Sequence, residues 1–227
     1  TVEEPDALVA NTTAQDSVSC NGLTDGSASV TAIGGNLNYN YQWDLAAGGQ
    51  AGDTATNLGA GTYTVTVTDQ KGCSDDTTVT VEEPDVLVAN TTAQDSVSCN
   101  GLTDGSASVT AIGGNLNYNY QWDVNAGSQT TDTATNLGAG TYTVTVTDQK
   151  GCSDDTTVTV EEPDVLVANT TAQDSVSCNG LTDGTASVGG IVGGNGIFSY
   201  TWLDALGNDL GQDNDTATNL GAGTYTV

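Results

Sequence analysis

The chain repeats itself almost verbatim every 79 residues. Glu3-Glu4-Pro5-Asp6 returns as Glu82-Glu83-Pro84-Asp85 and as Glu161-Glu162-Pro163-Asp164. Cys20 returns as Cys99 and Cys178, and Cys73 as Cys152. Residues 5–83 and 84–162 differ only at positions 7, 45, 46, 49, 51 and 52. Catalysis needs one well-made site, whereas near-identical copies in a row add length or valency. The repeat therefore argues for a stalk, a filament or a multivalent adhesin, and against an enzyme.

The period divides the chain into residues 1–4, the end of a preceding repeat, then 5–83, 84–162 and a shorter third copy, 163–227. Val227 matches Val65, inside a strand-like run. A unit ending there would leave a sheet edge unpaired, so further repeats are expected on both sides.

Within each copy the apolar pattern has period two. Thr62-Tyr63-Thr64-Val65-Thr66-Val67-Thr68 puts Tyr63, Val65 and Val67 on one face and threonines on the other. Thr78–Val81 and Ser27–Ala32 follow the same rule, and Tyr39-Asn40-Tyr41-Gln42-Trp43 places three aromatics on one face. Such alternation marks half-buried antiparallel strands. Leu8–Ala10 and Asp16–Ser19 read as a broken first strand, Thr54–Leu58 as a short later one, and no stretch reads as a helix. Six or seven short strands in each 79-residue repeat, separated by Gly/Asn/Asp turns, describe a small β-sandwich. Trp43 on the third strand and Leu58-Gly59-Ala60-Gly61-Thr62-Tyr63, which has the form of a tyrosine corner, make it immunoglobulin-like. The expected fold is all-β, a tandem array of such modules.

All twelve aromatic residues fall into these two slots, the third strand and the corner. Sugar-binding surfaces stack ligands on exposed rings; here each ring has a place in a core.

Two cysteines per complete repeat, in a chain of extracellular character, read as one disulfide each. Cys20–Cys73 and Cys99–Cys152 are the expected pairs, with Cys178 bonded outside the segment. The alternative joins Cys73 to Cys99 across the junction. An intra-repeat loop of this size would contribute about 4 kcal/mol. Zinc is disfavoured, because there is no Cys-x-x-Cys and no histidine.

Each full repeat carries eight Asp, two Glu and one Lys, and the chain's net charge is −27. Such a surface repels nucleic acid and anionic lipid, and no apolar run is long enough to span a membrane. The acidity suits a hydrated extracellular surface. A narrower reading is calcium held between modules by Glu82, Glu83 and Asp85, and by Glu161, Glu162 and Asp164. No Asp-x-Asp-x-Asp-Gly loop supports it, and no other cofactor is expected. Asp75 and Asp76 could serve acid–base chemistry only from opposite faces of a strand, which is poor geometry for a working pair.

Taken together, Ser17–Ser27, Gly34-Gly35, Tyr39–Trp43, Asn57–Asp69 and Gly72-Cys73 resemble the SprB-type repeat of Bacteroidetes surface proteins, over essentially the whole chain. That family includes the mobile adhesin of gliding motility. The resemblance implies export by the type IX secretion route and display outside the cell, attached to the outer-membrane surface. It also implies O-glycosylation at Asp-Ser/Thr triplets: Ser17, Thr54, Thr77, Ser96, Thr133, Thr156, Ser175 and Thr216. Asn11, Asn90 and Asn169 begin Asn-x-Thr triplets, a chemistry uncommon in such organisms.

The leading functional expectation is a stalk or filament segment of a very large adhesin. Its partners would be neighbouring repeats, like chains in a bundle, and an external surface met by regions outside this segment. The rival is a glycan- or surface-binding array acting through residues 45–52, where five of the six differences between repeats fall. Loop drift explains that clustering without a ligand.

Overall fold

The computed structural model describes residues 3–227, so Thr1 and Val2 of the expected 1–4 segment lie outside the described residues. The first repeat forms β1 (Val9–Asp16), β2 (Gly26–Ile33), β3 (Asn40–Trp43), β4 (Thr54–Leu58), β5 (Gly61–Thr68) and β6 (Ser74–Val81). The second repeats the set as β7 (Val88–Asp95), β8 (Gly105–Ile112), β9 (Asn119–Trp122), β10 (Thr133–Leu137), β11 (Gly140–Thr147) and β12 (Ser153–Val160). The third contributes β13 (Val167–Asp174), β14 (Gly184–Val192) and β15 (Thr216–Leu220). No helix of the described residues is long and apolar enough to cross a membrane.

The first repeat is a sandwich of two three-stranded sheets, ordered β1-β2-β4 and β3-β5-β6. All pairings within them are antiparallel. This is the immunoglobulin-like arrangement, first, second and fourth strands against third, fifth and sixth, with one edge strand dropped. The inward residues of both sheets build one core: Val30 and Ala55 from the first, Trp43, Val65, Val67, Val79 and Val81 from the second. Trp43 is 1% exposed, and its indole N–H donates to the Gly52 carbonyl at 3.0 Å. Tyr63 closes the corner by donating its hydroxyl to the Gly59 carbonyl at 2.9 Å, and Tyr142 and Tyr225 do the same to Gly138 and Gly221. The sheets approach closely where Gly26 meets Val81: a Cβ on Gly26 would stand 2.6 Å from the valine.

The first strand differs from expectation. It runs unbroken through Asn11-Thr12-Thr13, with a register shift between Thr12 and Ala14, and Ser17–Cys20 belong to the following loop. The irregularity absorbs one residue without ending the pairing. β1 also runs alongside β6 in the same direction. Ala10 N–H donates to Asp75 Oδ2, the Thr12 hydroxyl to the Thr78 carbonyl, and Val18 N–H to the Glu82 carbonyl. Both partners advance together, so β1 and β6 end at the same pole.

Chain contacts group into two compact units. Unit 1 comprises Thr1–Thr92, Val109–Asp132 and Thr143–Thr157; unit 2 comprises Ala93–Ser108, Thr133–Tyr142 and Val158–Val227. Unit 1 contains the whole first sandwich. In unit 2 the third repeat keeps a core of Val188, Trp202, Ala217 and Leu220, while β13 is exposed along its length. In the first repeat the matching strand is flanked by β6.

Candidate functional site at the repeat joint

Four segments meet at the joint within unit 1: the loop after β1, the Glu82–Leu87 connector, the turn after β8 and the turn before β12. The connector is held by the loop before it. Glu82 O accepts from Val18 N–H at 3.0 Å, Glu83 Oε2 from Gly22 N–H at 2.9 Å, and Pro84 O from Asn21 Nδ2 at 3.0 Å. On its other side the Gly113-Gly114 turn closes down. Gly114 N–H donates to Asp85 O at 2.9 Å, and Gly113 presses so near that a Cβ would lie 2.0 Å from Val86 O. With φ at 74° and 57°, these two positions need glycine on conformational grounds as well.

Asn115 follows that turn and ties the repeats together. Its side-chain amide donates to Ser19 O at 2.8 Å and to Asp148 Oδ2 at 2.9 Å. Asp148 is buried, which pushes its carboxyl pKa up. Hydrogen bonds from Asn115 and from the N–H groups of Lys150 and Cys152 outweigh that and hold it below the usual carboxylate range. Asp69, its counterpart, is likewise held below the usual range by the Asn36 side chain and by the Asn36, Cys73 and Lys71 N–H groups. Asp25 is lowered by hydrogen bonds from the Ser19 hydroxyl and N–H, with a smaller attraction from Lys150 of the second repeat.

The same joint carries the disulfide, and it corrects the expected pairing. Cys20 is bonded to Cys152, with Cα atoms 5.6 Å apart and a sequence separation of 132. Cys73, Cys99 and Cys178 are exposed free thiols, so neither Cys20–Cys73, Cys99–Cys152 nor Cys73–Cys99 forms. The reason is the shared direction of β1 and β6. Cys20 follows the end of β1 and lies at the pole where β6 ends, whereas Cys73 precedes the start of β6. An eight-residue strand, about 26 Å long, separates them. The turn before β12 brings Cys152 within bonding distance instead.

The remaining candidate residues are spread over the surface. Ser17, Ser96 and Ser175 are exposed at the ends of first strands, and Thr54 is exposed but hydrogen-bonded to Ser29. Thr77, Thr133, Thr156 and Thr216 are half-buried within strands. Asn11, Asn90 and Asn169 are exposed. Glu82, Glu83, Asp85, Glu161, Glu162 and Asp164 are also exposed, with Glu83 and Glu162 spent on Gly22 and Gly101 N–H groups. Among the described residues no group of three or more acidic or thiol side chains could hold a metal ion. Asp75 is spent on the Ala10 N–H.

The variable loop is anchored at its base: Asp44 accepts from Ala47 and Thr64 N–H groups, and Gln50 exchanges two hydrogen bonds with Thr56. Its tip is open, with Leu45 92% and Val124 81% exposed. No aromatic ring is exposed among the described residues. Sequence reasoning missed Asn115 and Ser19, although the recurrence of Gly-Gly-Asn and Ser-Cys-Asn-Gly marked both places.

The SprB repeat family model matches the chain at residues 12–48, 91–127 and 170–207. No curated protein sequence matches it. Among solved structures, the three N-terminal domains of the Highly Immunogenic Outer Capsid protein of bacteriophage RB49 are similar at 18% identity, with TM-score 0.44 over 89% of this chain and 77% of that one. The N-terminal eight Ig domains of Down Syndrome Cell Adhesion Molecule are similar at 14% identity, with TM-score 0.40 over 91% of this chain and 30% of that one. Domains 4–9 of surface layer protein SbsC are similar at 16% identity, with TM-score 0.32 over 94% and 38%.

Proposed function

Starting from a chain that carries three SprB repeats in tandem, we propose that it is a load-bearing spacer of a large secreted adhesin, holding a binding region away from the cell. The SprB repeats mark a surface-associated repeat protein. The load-bearing role is supported by the construction of the joint. The joint is built by the same contacts twice, Asn115 to Ser19 and Asn195 to Ser98, and a disulfide crosses the first. A protein whose residues are spent on fixing successive modules is suited to transmit force between its ends.

Attachment to the outer-membrane surface, type IX export, O-glycosylation and use in gliding or surface attachment belong to this proposal. They are supported by the kind of protein in which the repeat occurs. The exposed tips at Leu45 and Val124 favour a second reading, in which each module binds weakly and many bind together. Shortening the repeat array in the producing cell separates the two. A spacer predicts that attachment falls as repeats are removed, while the purified 227-residue chain binds neither cells nor glycans. Binding by that purified chain, abolished by Leu45→Ser with Val124→Ser, would favour the array instead.

A further inference from the structure

Cys73, Cys99 and Cys178 are free thiols, and the repeat supplies a reason for each. The joint after Cys99, within unit 2, reproduces the joint after Cys20. Val97 N–H donates to Glu161 O at 3.0 Å, Gly101 N–H to Glu162 Oε2 at 2.9 Å, and Asn195 Nδ2 to Ser98 O at 2.7 Å. Beside Cys99 lies a cavity of about 370 Å³, lined among others by Asn100, Leu166, Gly194, Asn195 and Phe198. Three of its walls correspond to groups that meet the Asp148–Cys152 turn in unit 1: Gly194 to Gly114, Asn195 to Asn115 and Cys99 to Cys20.

We propose that, wherever this repeat continues, the first cysteine of each copy is disulfide-bonded to the second cysteine of the next copy. The occupant of the cavity beside Cys99 is then the turn of a completed third repeat that matches Asp69–Cys73. Because Val227 matches Val65, its cysteine falls at position 235. Cys178 pairs one repeat further on, and Cys73 pairs with the repeat before. Each bond forms from two thiols that lose two protons and two electrons. A small-molecule disulfide accepts both and leaves as two thiols.

The register has a mechanical consequence that pairing within a repeat lacks. From Cys152 the backbone runs 26 residues to Cys178, and the next sulfur bridge then skips ahead to the following copy. The taut covalent path therefore uses 26 residues for every two repeats, about 90 Å when fully drawn out. Pairing within each repeat would allow about twice that, and a reduced chain about six times. Oxidation therefore caps how far the array can be drawn out even if its modules unfold.

The peptides around Cys20 and Cys99 are identical, so thiol counting on alkylated, denatured protein reads the register better than peptide mapping. The oxidised 227-residue chain is expected to show three thiols; pairing within repeats leaves one and overturns the proposal. Cys152→Ser is expected to show four, against two for pairing within repeats. A chain lengthened to complete the third repeat, with its added cysteine at position 235, is expected to show two; a count of zero overturns the register. Scrambled mixtures with no preferred count also overturn it. Any of these failures leaves the spacer reading to the attachment experiment above.

Discussion

The side-chain amide of Asn115 donates to the carbonyl of Ser19 at 2.8 Å, across 96 residues of sequence. The equivalent Asn36 makes the same bonds to its own Asp69 and, among the described residues, none to a second repeat. Comparing the two positions therefore isolates the joint. Asn115→Ala should lower stability by about 1 kcal/mol more than Asn36→Ala, as expected for one additional hydrogen bond. Urea denaturation of each variant measures the difference, and equal losses would remove Asn115 from the joint's energetics.

The Cys20–Cys152 bond closes a span of 132 residues. Chain-entropy arguments give such a cross-link about 5 kcal/mol. Cys152→Ser should therefore lower the melting temperature strongly, and a reducing agent should add nothing further. Cys73→Ser should leave the melting curve in place, since Cys73 is an exposed free thiol. Calorimetry under oxidising conditions distinguishes the two.

A Cβ on Gly26 would stand 2.6 Å from a Val81 methyl and 3.0 Å from the carbonyls of Asp16 and Leu58, closer than side chains pack. Gly26→Ala should cost about 1–3 kcal/mol, the usual penalty of overpacking. Gly59→Ala meets only Thr24 and a carbonyl at ordinary contact distances and should be tolerated. Denaturant midpoints of the two variants give the comparison.

Asp69 and Asp148 have native carboxyl pKa values below the usual range. An unfolded aspartate binds its proton near pH 3.9. Between that value and the depressed native one, the unfolded state holds more protons, so stability rises with pH. Their contribution is thus fully present above about pH 4 and is lost as pH falls toward the native values. Asp69→Asn should flatten the fall in melting temperature below pH 4, and an unchanged slope would assign the acid sensitivity elsewhere.

If the repeats are O-glycosylated, accessibility orders the sites. Ser17, Ser96 and Ser175 are exposed at strand ends, whereas Thr77, Thr133, Thr156 and Thr216 are half-buried within strands. Glycopeptide mass spectrometry of the secreted protein should find the serines modified ahead of those threonines.

The sequence alone determined the period, the alternating strands, the tryptophan slot and the tyrosine corner. Each of these is local: a side chain's place on a pleated strand depends on its neighbours two positions away. Trp43 and Tyr63 accordingly stand where the pattern puts them. Cys20 and Cys152 depended on something the pattern does not record, the direction in which β1 lies along β6. That parallel contact joins segments more than sixty residues apart. It sends the loop carrying Cys20 to the far pole from Cys73, and tertiary structure thereby turned an expected staple within one repeat into a bridge to the next.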